Sequence, residues 1–194
     1  MAQNPTRSAP KGVTREQVVR VAMEEFASRG YRGASLDMIA ARIGVTRQAL
    51  LHYFPSKVKL LLAVLELREQ QDAARFMELA GEHGWSFTEL FPAIIRDYTE
   101  NPELPRLYTV LASEAVDPEH PAHTWFVERY RRIRGRMAQA IAAQQTTEDI
   151  PPEATAAALL ALLEGLQLQA LLEPGAIDVE QSIAAVAPTD GSRR

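Results

Sequence analysis

Apolar residues recur along the chain at three- and four-residue spacings, and proline and glycine fall between the periodic segments. In the first helix that this spacing predicts, Thr14 is the N-cap, and Gly30 ends the helix in the left-handed conformation. The alternation of β-branched residues that would indicate strands is absent. The pattern therefore predicts an all-α protein.

A second and a third predicted helix follow closely and are separated by a tight turn. Ser35 caps the second helix, and Gly44 supplies the positive φ of the turn. Thr46 caps the short third helix, and Pro55 ends it. Two short helices joined in this way have the geometry of a helix-turn-helix, whose second helix enters the DNA major groove. Many all-α proteins contain the same corner for structural reasons alone, so the spacing leaves both interpretations open.

The charge distribution and the polar face of the third helix favour DNA binding. Residues 1–65 carry 10 Lys and Arg against 4 Asp and Glu, whereas residues 66–194 carry 11 against 21. A basic N-terminal unit on an acidic body is typical of a protein whose head binds a polyanion. No acidic residue lies between Asp37 and Glu66. The outer face of the third helix offers four side chains of types that recognise bases or phosphates: Arg47, Gln48, His52 and Tyr53.

The segment from Thr14 to Leu65 resembles the DNA-binding domain of the tetracycline-repressor-like (TetR) family of bacterial transcription regulators. The likeness rests on four motifs in register: F-A-x-x-G-Y ending the first helix, S-x-x-x-I-A in the second, G-V-T in the turn, and H-Y-F-P-S-K from the end of the third helix onward. The resemblance implies a homodimeric regulator, not an enzyme, that acts as a repressor on a palindromic operator. It also implies release of that operator when a small molecule enters the second domain.

The resemblance further assigns roles within the first domain. Contacts to phosphates or bases are implied for Ser35, Thr46, Arg47, Gln48, Ala49, Tyr53 and Lys57. Leu51 stands where the family often has Tyr, and Gln48 where it often has Gly, so the operator sequence does not follow. As caps, Ser35 and Thr46 stabilise their helices by about 0.5–2 kcal/mol each even without DNA. The ring of Tyr53 can likewise pack beside Phe54 instead of contacting a phosphate.

Residues 14–65 are the predicted DNA-binding domain, and residues 66–188 are expected to form a helical ligand-binding and dimerisation domain. Aromatic residues repeat at helical spacing in the second domain, which is typical both of an ordinary core and of a pocket for a largely apolar small molecule. The pocket hypothesis predicts that Phe91, Tyr98, Tyr108, Trp125, Phe126 and Tyr130 line it. Residues 1–13 are expected to be a flexible arm, and residues 189–194 a disordered tail.

The segment from Ala154 to Leu172 has Glu164 as its only charge and is apolar on nearly all sides. A helix that is apolar all round must be buried all round, and small residues allow a second helix to approach closely. The predicted homodimer interface contains Ala154, Ala157, Ala158, Ala161, Gly165 and, on the last helix, Ile183. The alternative is a core helix that is covered entirely within its own chain.

Composition removes several other classes. The chain has no Cys, which excludes disulfide scaffolds, thiolate metal sites and cysteine nucleophiles. It shows no signal peptide and no long uncharged apolar run, so a cytoplasmic protein without membrane contact is expected. No cofactor or metal is predicted, since His120 and His123 lack a third ligand. The dense arginine run from Arg129 to Arg136 is interpreted as a solvated face, in which only Arg129 and Arg134 flank the apolar stripe of the helix. The alternative for this run is an arginine that holds a ligand carboxylate. The rival hypothesis is a helical small-molecule-binding or enzymatic protein whose helix-turn-helix corner is purely structural.

Overall fold

The structure is a computed structural model that describes residues 12–83, 87–101, 103–143 and 150–185. Within these ranges all regular structure is helical, which confirms the all-α prediction. Residues 1–11 of the predicted arm and the predicted tail of residues 189–194 lie outside the described ranges.

The N-terminal domain consists of α1 (Arg15–Gly33), α2 (Leu36–Ile43), α3 (Arg47–Tyr53) and the first turns of α4 (Lys57–His83). The hydroxyls of Thr14, Ser35 and Thr46 each accept a hydrogen bond from a backbone N–H in the first turn of the helix that follows. The shared core contains fully buried side chains from every one of these helices, among them Val18, Phe26, Ile39, Leu50, Leu60 and Val64. Because Leu50 and Phe54 anchor α3 on this core, the opposite face of α3 points into solvent.

The first helix was predicted to end at Gly30. In the structure it breaks at that glycine but continues to Gly33. Gly30 has φ 70° and ψ 177°, a combination that only glycine adopts readily. The backbone N–H of Ala34 still donates to the carbonyl of Gly30 at 3.3 Å, so the chain makes one further turn. This turn carries Tyr31 and Arg32 to the second domain.

The second domain contains α5 (Phe87–Glu100), α6 (Glu103–Glu114), α7 (His123–Ala142), α8 (Pro152–Leu172) and α9 (Val179–Ala184). α7 begins at His123, after a series of turns that follows α6. The core of the second domain combines side chains from α5, α7 and α8, including Phe91, Ile95, Ala138, Ile141, Leu159 and Leu163. α4 runs unbroken through Leu65, so one helix belongs to both domains.

The end of α1 is held by the end of α6 where the two domains meet. The carboxylate of Glu114, the last residue of α6, accepts hydrogen bonds from the backbone N–H of Tyr31 at 2.5 Å and of Arg32 at 3.1 Å. The Arg32 guanidinium pairs with Asp117, and the buried ring of His120 packs edge-on against Tyr31 with the centroids 5.1 Å apart. A displacement of α6 is therefore transmitted directly to α1.

Only one side of α8 is covered by its own chain. The covered side carries Ala156, Leu159, Leu160, Leu163 and Leu166. All five predicted interface residues on α8 are exposed: Ala154, Ala157, Ala158, Ala161 and Gly165. The backbone of Ile183 lies in α9, but its side chain lies outside what the structure describes. The exposed face argues against the alternative that α8 is covered within its own chain.

By length and composition α8 is the one described helix that is apolar enough to cross a membrane, with 28% of its most apolar window buried. A helix of a soluble protein that packs against a partner meets the same criteria. The large exposed side chains near its C-terminal end, Leu168 and Leu172, extend the uncovered face. An uncovered apolar face of this length is typical of surfaces that bind another protein or a membrane.

Candidate DNA interface and ligand cavity

The short helix α3 presents its polar side chains outward because its apolar side chains are buried. Thr46 caps the helix by accepting the N–H of Ala49 at 3.2 Å, and Leu50 is fully buried one turn later. Gln48 and His52 are exposed on the opposite side. These two side chains can donate or accept hydrogen bonds at base edges without any rearrangement of the domain.

Arg47 is also exposed, but it has an intramolecular partner. Its Nη1 lies 2.5 Å from Oδ2 of Asp37 on α2, and both side chains are more than half exposed at 56% and 62%. Such a pair contributes little to stability because solvent screens it. The guanidinium can therefore exchange Asp37 for a guanine edge or a phosphate. Asp37 was not singled out by the sequence reasoning.

A shallow hollow of about 490 Å³ lies between the starts of α2 and α4, beside α3. Its polar lining comes from Ser35, Arg47, Ser56 and Lys57. Ser56 caps α4 by accepting the N–H of Lys59 at 3.2 Å, just as Ser35 caps α2. Two helix N-termini and two cations at one hollow suit a phosphate group. The sequence did not assign Ser56 a DNA contact, although its position directly before α4 marks it as a helix cap.

Two predicted phosphate contacts already have partners inside the protein. The hydroxyl of Tyr53 donates to the carbonyl of Val13 at 2.8 Å, so a phosphate contact would require this bond to break. The Lys57 ammonium lies 4.3 Å from the ring centroid of Tyr31, and burial lowers its pKa against the opposing effect of Glu114. Lys57 thus lies between the hollow and the junction with α6.

Comparison with known proteins agrees with this geometry. Residues 18–64 match the profile described as "Bacterial regulatory proteins, tetR family", and residues 93–188 match "BetI-type transcriptional repressor, C-terminal". The chain belongs to the TetR family. It is accordingly a DNA-binding transcription regulator, in which the helix-turn-helix is the DNA-binding element.

Individual relatives match between 29% and 92% of the chain. The HTH-type transcriptional regulator SrpR of Pseudomonas putida is 26% identical over 180 residues, which cover 92% of this chain and 83% of that one. The transcriptional activator FasR of Mycolicibacterium smegmatis is 44% identical over 57 residues, 29% of this chain and 26% of that one. A transcriptional regulator from Saccharomonospora viridis, solved in complex with choline, shares the fold with a TM-score of 0.76 at 20% identity, over 88% of this chain and 93% of that one.

The second domain of this TetR-family chain contains a cavity of about 1510 Å³ between α4, α5, α6, α7 and α8. Five of the six predicted lining residues do line it: Phe91, Tyr98, Tyr108, Phe126 and Tyr130. Trp125 does not belong to the lining. Its ring stacks on Tyr108 with the centroids 6.0 Å apart and packs in the core that reaches the first domain.

The cavity wall also carries buried charges, which a largely apolar pocket would lack. Arg68 and Asp72 on α4 pair at 2.5 Å with side chains only 7% and 15% exposed. Arg129 on α7, 13% exposed, lies 3.6 Å from the same carboxylate. The interpretation of the arginine run as a solvated face is therefore wrong for Arg129. Arg132, three residues later, is 42% exposed and pairs with Glu69.

The phenols on the cavity wall remain protonated throughout the physiological range. Burial raises the pKa of Tyr98 to about 12, and it raises the pKa of Tyr108 and Tyr130 as well. Burial also raises the pKa of Asp72 against the lowering effect of Arg68, and that of Glu164 against a hydrogen bond from Tyr130. The wall consequently offers neutral hydroxyl donors beside guanidinium groups.

No group of three or more metal-binding side chains occurs in the described ranges. His120 Nδ1 accepts the N–H of Ala122 at 3.2 Å, and His123 Nδ1 lies 2.8 Å from the carbonyl of Ala115. Both histidines thus serve the turn between α6 and α7.

Two substitutions should separate base reading from phosphate binding. Gln48→Ala should relax base preference at one position of each half-site, by roughly 1–3 kcal/mol if a bidentate pair is lost. Lys57→Ala should weaken binding to all sequences alike and make the salt dependence shallower by about one counterion per subunit. Titrations of operator variants at several salt concentrations measure both effects. An unchanged salt slope in Lys57→Ala would show that Lys57 stays with Tyr31 and does not contact phosphate.

Proposed function

We propose that this TetR-family regulator is a cytoplasmic repressor that binds a palindromic operator as a homodimer and is released by a small-molecule effector. The observation that carries the proposal is the position of α6. This helix contributes Tyr108 to the cavity wall, and its last residue, Glu114, binds the backbone at the end of α1. A ligand that shifts α6 therefore shifts α1, which shares a buried core with the recognition helix α3.

The homodimer is supported by the uncovered face of α8. A two-fold axis at this face would bring two copies of the same small-residue stripe together in an isologous contact. The separation of the two recognition helices then depends on the orientation of both DNA-binding domains. Because only one separation matches successive major grooves, a modest rotation is sufficient to lower operator affinity.

The relatives support a small-molecule effector and a regulatory rather than catalytic role. One neighbour was solved with choline, and the matched C-terminal profile carries a repressor description, whereas FasR is described as an activator. A coupling of roughly 1–3 kcal/mol between effector and operator would change affinity about 5- to 150-fold in both directions of the linkage. No catalytic residue is proposed.

The test is a footprint on the DNA upstream of the chain's own coding sequence. We expect protection of a pseudo-palindrome whose half-sites lie about one helical turn, or a simple multiple, apart. A reporter fused to that DNA should be more active when the regulator gene is deleted. Protection of a single asymmetric half-site would contradict the dimer, a less active reporter would indicate an activator, and the absence of any specific site would favour the rival of a ligand-binding protein or enzyme with a structural corner.

A further inference from the structure

Unpartnered polar atoms concentrate on the wall of the large cavity. Among the described residues, two buried side-chain nitrogens at this wall have no hydrogen-bond partner, Arg68 Nε and Gln167 Nε2. The Tyr108 hydroxyl and the Asp72 carboxylate, also at this wall, interact with each other. Buried polar groups nearly always have hydrogen-bond partners, so unpartnered atoms that lie close together indicate that a binding partner is missing. The Arg68 side chain is more than nine-tenths buried, with 7% of its surface exposed.

The hydrogen-bond donors of the two buried arginines at this wall outnumber the acceptors that face them. Arg68 and Arg129 share the single carboxylate of Asp72, at 2.5 Å and 3.6 Å respectively. Each guanidinium carries five N–H donors, whereas one carboxylate offers about four acceptor positions. Glu69, the next nearest acid, is 4.0 Å from Arg129 but only 2.6 Å from Arg132, and it is 37% exposed.

The other acids at the cavity each have a partner of their own. Asp97 accepts two hydrogen bonds from Arg75, at 3.0 Å and 2.8 Å, and a third from the Asn101 amide. Glu164 accepts a hydrogen bond from the hydroxyl of Tyr130. The donors of Arg68 and Arg129 are therefore the ones in excess.

The aromatic faces near this centre are already occupied by cations of the protein. Arg129 lies over the ring of Tyr108 with Cζ 3.9 Å from the centroid, and Arg68 lies 5.8 Å from the same centroid. Arg129 also lies 5.7 Å from the ring centroid of Trp125. A ligand ammonium at this centre could not use those faces for cation–π contacts, and the two guanidinium groups would repel it. This centre therefore disfavours a cationic head group.

The rest of the cavity is suited to an apolar body. Helices α5, α7 and α8 supply Leu90, Phe91, Ile94, Met137, Leu160 and Leu163 to the lining. A volume of about 1510 Å³ is ample for a drug-sized molecule or a hydrocarbon chain.

We infer that the effector is an amphipathic carboxylate, whose anionic head binds Arg68, Arg129 and the Tyr108 hydroxyl while its hydrocarbon or aromatic body packs against the apolar lining. The inference rests on the proposed function, since it names the chemical class of the molecule that would enter this cavity. The head would supply the acceptors that the guanidinium groups lack, and the Tyr108 hydroxyl would turn from Asp72 and donate its hydrogen bond to the head. Tyr108 lies on α6, so the head would contact the helix that holds α1.

The test uses three probes that share one chain and differ in the head: decanoate, decanol and decyltrimethylammonium. Calorimetric titration of the full chain without DNA, below micelle-forming concentrations, should show decanoate binding about 10- to 100-fold more tightly than decanol, because hydrogen bonds to charged groups are worth that much. Decyltrimethylammonium should bind no better than decanol. Tighter binding of the ammonium probe, or no binding by any of the three, would overturn the inference.

Variants locate the head group. Arg129→Met should reduce decanoate binding to the level of decanol and leave decanol binding unchanged, whereas Arg131→Met, an exposed arginine on the same helix, should change neither. Asp72→Asn should strengthen decanoate binding because it removes the competing carboxylate, an effect that partial unfolding would not produce. Decanoate affinity that is equal in Arg129→Met and in the unchanged chain would overturn the assignment.

Failure of the proposed function would look different. If decanoate binds as expected but leaves operator affinity unchanged in a gel-shift titration, the cavity chemistry stands and release by this ligand is contradicted. If the operator is bound and released by another molecule while decanoate fails to bind, the repressor mechanism stands and the carboxylate inference is contradicted.

Discussion

Replacing Ala161 by glutamate is expected to convert the protein into a monomer and to abolish tight operator binding. Ala161 lies in the middle of the exposed small-residue stripe of α8. In an isologous interface every substitution occurs twice, so two carboxylates would face each other across the axis. Each uncompensated buried charge costs roughly 3–5 kcal/mol, which implies a dimer dissociation constant raised more than about a thousandfold.

The loss of dimerisation should carry over to DNA. A monomer reaches one half-site only, and the loss of a linked second contact lowers affinity about 100- to 10,000-fold. Light scattering coupled to size-exclusion chromatography and a gel-shift titration measure the two effects. Gln70→Glu is the matched control, because it adds the same charge at an exposed position of α4 away from the stripe. A dimeric Ala161→Glu protein with normal operator affinity would place the interface elsewhere.

Gly30→Ala is expected to destabilise the protein by roughly 3–5 kcal/mol, because backbone strain adds to the loss of the hydrogen bonds that Glu114 accepts from the end of α1. Gly30 has φ 70°, and a Cβ at this position would lie 2.5 Å from Oε1 and 2.8 Å from Cδ of Glu114. The carboxylate would have to move, and its hydrogen bonds to the end of α1 would be lost with it. Urea unfolding measures the change in the free energy of unfolding.

Gly44→Ala separates the clash from the backbone strain. Gly44 also has a positive φ, 77°, but a Cβ there would meet nothing within 4 Å. It should cost only about 1–2 kcal/mol, the penalty of a left-handed residue. In a Glu114→Ala background the cost of Gly30→Ala should fall by about 1–2 kcal/mol, since residues in contact are energetically coupled. Equal costs for the two glycines would mean that contact with Glu114 contributes nothing.

The helix-turn-helix was predictable because its signals are local. A cap hydroxyl binds an N–H three residues away, and the apolar stripe of a helix repeats every three or four residues. The sequence therefore predicted correctly that Ser35 caps α2, that Gly44 forms the turn and that Thr46 caps α3. The outward face of α3 followed from the burial of Leu50. Gly30 was recognised as a left-handed glycine, but the continuation of α1 beyond it depends on a partner in another domain.

The character of the cavity depended on contacts that are distant in sequence. Five aromatic side chains were placed at its wall from helical spacing alone, whereas an arginine that holds a carboxylate was only the alternative interpretation of the arginine run. Spacing placed Arg129 beside the apolar stripe of α7 and Arg132 away from it, but it did not show that α4 and α6 enclose Arg129. The two side chains are 13% and 42% exposed. Rotation about a helix axis decides which arginine is buried, and that rotation follows from the packing of α7.

The periodicity of the chain was sufficient to predict the helices, the helix-turn-helix corner and the apolar character of α8, since each of these arises from residues within a few turns of one another. The pairing of Glu114 with the backbone of Tyr31, 83 residues away, and the sharing of Asp72 by Arg68 and Arg129 arise only when the helices pack. Helical spacing shows which side of a helix is apolar, but it contains no information about which charged residue of another helix will face it.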